Sequence, residues 1–340
     1  MLVAVTGGTG FIGSHTVVAL QEAGHRVRAL VRDPSKLKRI YEPMGRKIEE
    51  VVVGDMTDPD STARLLDGCD ALVHVAAIVA LEAGRAREVQ ATNAPGVELV
   101  VGGAAERGQR VVYVSSAGAL FTRGNTRITS ASPIGETRGA YGASKAQAER
   151  YVRGLQDRGA SILTTYPTAV VGPDDPSFTD PNRGLRLLLK WAGPLTSTGY
   201  QPVDVRDLAS MHIRLLEGEN STGRYIAAGP YFPWADLLDE IDGVTGRKVR
   251  RIRISGGVLR GIGHIADIAK RVVAFDLPLT HEGMLFGTCW PIADGSPARR
   301  DLGMHFRSIE ETLSDTYRWM HQVGHLTRRQ IGNLAPPPPE

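Results

Sequence analysis

The sequence predicts an α/β protein built on a doubly wound parallel sheet, followed by a smaller mixed α/β lobe, and three observations carry that expectation. Short runs rich in Val, Ile and Ala alternate with longer segments of helical periodicity through the first half of the chain. The runs are apolar almost without interruption, as strands covered on both faces are. The first run empties into Thr6-Gly7-Gly8-Thr9-Gly10-Phe11-Ile12-Gly13, and a helical pattern follows at once.

Taken in order, strands are expected at Leu2–Val5, Arg26–Val31, Glu49–Val53, Ala71–Ala77, Arg110–Ser115 and Ser161–Thr165. Helices are expected between them at 11–23, 34–43, 59–67, 85–107 and 142–158. The rhythm breaks at Gly172-Pro173-Asp174-Asp175-Pro176, after which Arg183–Trp191 reads as a helix. Strand-like Arg224–Ala228 returns to the sheet and Val249–Ile254 looks like another strand, with helices at 232–242, 257–274 and 307–322. The expected division is a sheet domain over 1–172, a lobe over 173–330 and a Pro-rich tail over 331–340. No internal repeat of fixed period is present.

Composition narrows the classes. With 42% hydrophobic and 23% charged residues among 340, the chain can bury a sizeable core, and a net charge of +3 without like-charge blocks does not suggest a nucleic-acid partner. Cys69 and Cys289 lie far apart outside any CxxC pattern, which disfavours disulfides and a zinc site and points to a reducing, cytoplasmic setting. Glycines interrupt the first apolar stretch at Thr6, so it is not read as a signal peptide, and no run is long enough for a membrane span.

The glycine stretch sits between a strand and a helix, the context in which such spacing holds a dinucleotide pyrophosphate. Gly7, Gly10 and Gly13 permit close backbone approach, and Thr9, Phe11 and Ile12 complete a turn that leads into a helix N-terminus with free N–H groups. An NAD site usually places an acid at the end of the second strand. Here Val31-Arg32 stands there, and Arg32 with Lys36 or Lys38 suits a 2′-phosphate, so NADP is expected over NAD; the competing reading gives ribose binding to Asp33. Asp55 and Met56, after the third strand, fall where an adenine would lie, although Asp55 reads equally as a turn residue. The small residues of Val75-Ala76-Ala77 would let the ribose and pyrophosphate pass close to backbone, while His74 is read as packing or a supporting hydrogen bond, with no second histidine at metal spacing.

Tyr141 and Lys145, four apart, share a helical face, and Ser115-Ser116 ends the fifth strand on the side of the sheet where ligands bind. A Ser116 hydroxyl, a Tyr141 phenol and a Lys145 ammonium around one carbonyl make a proton-transfer site, in which Lys145 is expected to lower the phenol pKa.

Together TGGTGFIG (6–13), VRDPSK (31–36), GDMTD (54–58), HVAA (74–77), VSSAG (114–118), YGASK (141–145), YPTAVVGP (166–173) and VDVRDLA (203–209) resemble the extended short-chain dehydrogenases/reductases. Within them the chain is most similar to the dihydroflavonol 4-reductase-like and 3β-hydroxysteroid-dehydrogenase-like branch, and LPLTHEG (277–283) extends the likeness. The resemblance implies a Rossmann fold, Ser116, Tyr141 and Lys145 as catalytic residues, and Asn93 as a structural or proton-relay position near the cofactor. It also implies Tyr166 and Pro167 against the nicotinamide, although Tyr166 stands where many members have arginine. A homodimer through the helices at 85–107 and 142–158 follows from the same likeness.

The leading reading is therefore an NADP(H)-dependent reductase or dehydrogenase acting on a carbonyl or alcohol carbon. An NAD-dependent nucleotide-sugar epimerase or dehydratase is the alternative, with Arg183, Arg186, Lys190 and Trp191 available for a nucleotide diphosphate. A non-catalytic NADP-binding regulator is the third reading. Asp174, Asp175, Phe178 and Tyr200 are candidate pocket residues by position, and 257–274 reads as a lid or packing helix.

Overall fold

The computed structural model describes residues 1–79, 83–136, 139–269 and 280–336. Its central sheet contains β1 (Leu2–Thr6), β2 (Arg26–Val31), β3 (Glu50–Val53), β4 (Ala71–His74), β5 (Arg110–Val114), β6 (Ile162–Pro167) and β7 (Gly223–Ala227). The order is β7-β6-β5-β4-β1-β2-β3, and every pairing in it is parallel. Strand order reverses between β1 and β4, which opens a crevice at their carboxyl ends.

The helices are α1 (Phe11–Glu22), α2 (Ser35–Tyr41), α3 (Pro59–Leu66), α4 (Ala86–Glu106), α5 (Ala140–Asp157), α6 (Asp180–Lys190) and α7 (Val205–Glu217). After them come α8 (Trp234–Thr245), α9 (Gly256–Ala269), α10 (His281–Cys289), α11 (Ser296–Leu302), α12 (Ile309–Gln322) and α13 (Arg328–Ile331). One face of the sheet is sealed by Leu65, Val97, Val100 and Val152 from α3, α4 and α5. The other is sealed by Val17 and Leu20 of α1 and by Leu208 and Leu215 of α7. Covering both faces explains why the strands read as continuous apolar runs.

The C-terminal lobe closes around Leu185, Leu237, Leu238, Leu313 and Tyr317 from α6, α8 and α12. Its strands are short pairs outside the central sheet. The segment expected as a further sheet strand at Val249–Ile254 is one of these: only Arg251–Arg253 is extended, and it pairs with Gly193–Leu195. The fourth strand ends at His74 instead of Ala77, because Val75 and Ala76 turn back onto Thr6, donating their N–H groups to its carbonyl (3.3 Å) and hydroxyl (3.3 Å). Ile331, at the start of the expected Pro-rich tail, is fully buried in the lobe core. The end of the 257–274 helix lies outside the described residues from 270, as does part of LPLTHEG.

Candidate active site

A cleft of about 690 Å³ runs along the carboxyl ends of the strands, between the sheet and the C-terminal lobe. Its floor is the glycine turn. Gly7 has φ +74°, and a Cβ there would come within 2.7 Å of the Ala76 nitrogen; a Cβ on Gly13 would collide with the Gly7 carbonyl. Both glycines let α1 and the loop after β4 close on the turn. Gly10 caps α1 without any side-chain hydrogen bond, and Gly10, Phe11, Ile12 and Gly13 line the cleft, so the first turn of α1 faces open space with its amides available. Tyr41 buttresses the turn from behind, donating from its hydroxyl to the Gly8 carbonyl at 2.6 Å.

After β2, Arg32, Lys36 and Arg39 all line the cleft. Lys38 is not in the lining; its ammonium lies 4.0 Å from Glu42. Asp33 is also outside the lining and closes a turn instead, accepting from Ser35 N (3.0 Å) and Oγ (2.6 Å). Asp55 shares that habit: its Oδ1 accepts from Thr57 N (2.9 Å) and Oγ1 (2.7 Å), while Oδ2 faces Arg32 at 4.0 Å across the cleft edge. Thr9, Met56, Val75, Ala76 and Ala77 line the cleft as well. His74 lies buried below, its Nδ1 3.0 Å from Thr6 Oγ1, and burial with the neighbouring Lys145 charge pushes its pKa down to about 3, so it is a neutral support.

Ser115, Ser116 and Tyr141 face the same cleft. The Ser116 hydroxyl accepts from Gly118 N at 3.0 Å, which fixes it at the end of β5, where it favours the charged form of the Tyr141 phenol. Lys145 lies beneath, 5% exposed, donating to the Val114 carbonyl at 3.3 Å, with its ammonium 5.9 Å from the Tyr113 ring centre. Burial lowers the Lys145 pKa to about 8, opposed by the charge of Glu149. The phenol does not follow the sequence expectation. Burial pushes Tyr141 up to about 12, with Ser116 pulling down and the Glu282 charge adding to the rise, so desolvation outweighs any help from Lys145 in this state.

Two expected cofactor residues stand elsewhere. Asn93 is buried outside the lining; its Nδ2 donates to the Ile78 carbonyl (3.0 Å) and Ser144 Oγ (3.0 Å), and its Oδ1 accepts from Ile78 N (2.7 Å). It ties the loop after β4 to the catalytic helix. Tyr166 points away from the cleft because alternate residues of β6 face opposite sides of the sheet, and Pro167 took the cleft side. Its hydroxyl donates to Glu149 Oε1 at 2.5 Å, within a cluster of Leu120, Phe121 and Ile226.

Of the lobe candidates, Phe178 lines the cleft, while Tyr200 and Asp174 do not. Asp175 is buried and holds the loop, accepting from Ser177 N (3.0 Å), Thr179 N (2.7 Å) and Asn182 Nδ2 (3.0 Å). Sequence reasoning missed Arg39, Thr168 and Thr280 among the lining residues. Arg39 was legible at helical spacing from Lys36; Thr280 was not, since only the tertiary fold brings it near. Among the described residues no group of three His, Cys, Asp or Glu side chains could hold a metal, and no helix is long and apolar enough to cross a membrane.

The family model described as the NAD dependent epimerase/dehydratase family matches residues 3–228. The chain belongs to this family. Cinnamoyl-CoA reductase 1 of Arabidopsis thaliana is 27% identical over 343 residues, covering 95% of this chain and 90% of the relative. Dihydroflavonol 4-reductase of the same plant is 29% identical over 255 residues, covering 66% of this chain and 65% of the relative. The crystal structure of vestitone reductase from alfalfa (Medicago sativa L.) superposes with a TM-score of 0.73 at 20% identity, covering 96% of this chain and 99% of that one, which shows the shared fold. The family resemblance read from TGGTGFIG and YGASK is thus a membership in a family described as NAD dependent.

Proposed function

We propose that the protein is an NADP(H)-dependent oxidoreductase that transfers a hydride between nicotinamide and a carbonyl or alcohol carbon of a small organic substrate, with Tyr141 as acid and base. The observation that carries this reading is the meeting of Ser116 and Tyr141 in one cleft with the glycine turn, above a buried Lys145. The names of two of the relatives, cinnamoyl-CoA reductase 1 and dihydroflavonol 4-reductase, support it.

The residues fit a dinucleotide: amides of the first turn of α1 for the pyrophosphate, and Arg32, Lys36 and Arg39 for a 2′-phosphate. When bound, the reduced nicotinamide supplies the hydride. Ser116 donates a hydrogen bond to the substrate oxygen and holds it beside the phenol. Tyr141 gives its proton to that oxygen as charge develops, and Lys145 stabilises the phenolate left behind. A phenol near 12 carries its proton at neutral pH, the form that can act as the acid in carbonyl reduction.

A homodimer would pair α4 and α5, whose outer faces are polar at Gln90, Glu98, Gln147 and Arg150; sedimentation tests it. The epimerase or dehydratase reading draws less support from the lobe. Of Arg183, Arg186, Lys190 and Trp191 only Arg183 lines the cleft; Arg186 lies over the Phe178 ring at 4.7 Å, and Trp191 is 67% exposed.

The test is titration of the purified protein with NADPH and NADH, then a screen of aldehydes and ketones. Tyr141→Phe is expected to cut turnover by about 100-fold or more while NADPH still binds. A preference for NADH, or NAD that stays bound through purification, would overturn the cofactor assignment. Unchanged turnover in Tyr141→Phe would overturn the chemistry and leave a regulator.

A further inference from the structure

We propose that Glu282 is a positioning residue for Tyr141: a carboxylate that the C-terminal lobe lends to the first turn of the catalytic helix. The proposal rests on the reading of Tyr141 as proton donor. Helix α5 starts at Ala140 and has no cap of its own, because Gly139 occupies the N-cap without a side chain. The opening amides of a helix need acceptors. Glu282, 140 residues away in sequence, supplies one: its Oε1 accepts from Gly142 N at 3.1 Å.

The fit is tight on both sides. Glu282 is 7% exposed, and a Cβ on Gly139 would collide with its carboxylate, so the glycine that leaves the helix uncapped also makes room for the substitute. A negative charge at a helix N-terminus is further favoured by the helix dipole. The titratable groups facing Glu282 are Asp267 of α9 and His281 on its own helix.

The seat of Glu282 is tied to both halves of the cleft. Thr280, part of the cleft lining, caps α10 by accepting from Gly283 N at 3.0 Å. Phe286, one turn further on, stands edge-on to Phe121 at 5.2 Å and lies against Gly118, in the turn that holds Ser116. A substrate that presses on Thr280 therefore acts on the same short helix that clamps the backbone of Tyr141.

The clamp acts selectively on the acid. Tyr141 and Gly142 lie in the first turn, which frays when uncapped, whereas Lys145 is a turn deeper and is held by the Val114 carbonyl. Losing Glu282 should release the phenol and leave Lys145 and the dinucleotide end of the cleft in place.

The experiment compares Glu282→Ala and Glu282→Gln in the full chain by hydrogen exchange and by steady-state carbonyl reduction. In Glu282→Ala the amides of Tyr141 and Gly142 are expected to exchange about tenfold faster or more, with kcat down about tenfold or more and NADPH affinity within about twofold of wild type. Glu282→Gln, whose amide oxygen can still accept from Gly142 N, is expected to restore exchange and most of kcat. Unchanged exchange at Tyr141 and Gly142 in Glu282→Ala overturns the clamp whatever the enzyme's activity. So do an unchanged kcat, a loss of kcat matched by lost NADPH binding, and a failure of Glu282→Gln to rescue. Tyr141→Phe, run beside them, separates the two readings: full turnover there defeats the proton-donor assignment, while the exchange measurement still decides the clamp.

Discussion

Glu149 follows Lys145 by one turn of α5, and its charge is what keeps the buried Lys145 ammonium from losing its proton still more readily. Glu149 is fully buried, yet it is well supplied with donors: Ser115 Oγ at 2.9 Å, Arg153 Nε at 2.8 Å and the Tyr166 hydroxyl at 2.5 Å. Tyr141, Lys145 and Glu149 thus form one stripe along the helix, in which the outermost group faces the cleft and the innermost opposes the loss of charge that burial imposes on the middle one.

That stripe gives the pH profile its direction. A lysine lowered to about 8 is an ammonium below that pH and neutral above it, so carbonyl reduction should decline as pH rises through about 8. In Glu149→Gln the opposing charge is gone and Lys145 loses its proton at lower pH. The alkaline fall of kcat is expected to move to lower pH in that variant, measured against wild type from pH 6 to 10. A fall that stays in place would show that Glu149 does not govern Lys145.

The three cations after β2 should act on one phosphate. Arg39→Ala is expected to weaken NADPH by about tenfold, the loss of one charge-assisted hydrogen bond, and to leave NADH within about twofold. Lys38→Ala, outside the cleft beside Glu42, should change neither. Fluorescence titration of both variants with both nucleotides checks the pair.

Identical glycine-to-alanine changes should differ sharply at two sites. Gly13→Ala drives a methyl into the Gly7 carbonyl, backbone that no rotamer change can move, so both the melting temperature and dinucleotide binding are expected to fall together. Gly24 has φ +81° but nothing within 4 Å of its Cβ position, so Gly24→Ala should cost only the backbone penalty of about 1–2 kcal/mol and bind normally. Thermal melts with and without NADPH separate the two.

What was legible in the sequence follows from how local its cause is. The strand runs, the glycine turn and the i, i+4 pair Tyr141 and Lys145 are each specified by neighbours within a few residues; the turn and Tyr141 line the cleft, and Lys145 is buried. Glu282 could not be read, because its meaning depends on a helix that begins 142 positions earlier at Ala140. The Tyr141 pKa was misjudged for a related reason: spacing shows that an ammonium is near, but the burial that overrides it belongs to the assembled fold. Tyr166 turns on parity alone, since a motif does not say which of two adjacent strand residues faces the ligand.

Tyr166 provides the sharpest check on that parity. Its ring is fully buried on the far side of β6, and its hydroxyl serves Glu149 at 2.5 Å and lies 3.4 Å from Arg153. Tyr166→Phe removes one donor from a buried carboxylate that keeps Ser115 and Arg153, so the expected cost is about 1–2 kcal/mol of stability and a lower melting temperature. NADPH affinity should stay within about twofold, because no atom of the side chain reaches the cleft. A tenfold loss of NADPH affinity with an unchanged melting temperature would put the ring against the nicotinamide after all. Thr168, two positions on and in the lining, is the matching positive control: a bulky Thr168→Phe should obstruct the cleft and weaken substrate use while leaving the Glu149 network intact.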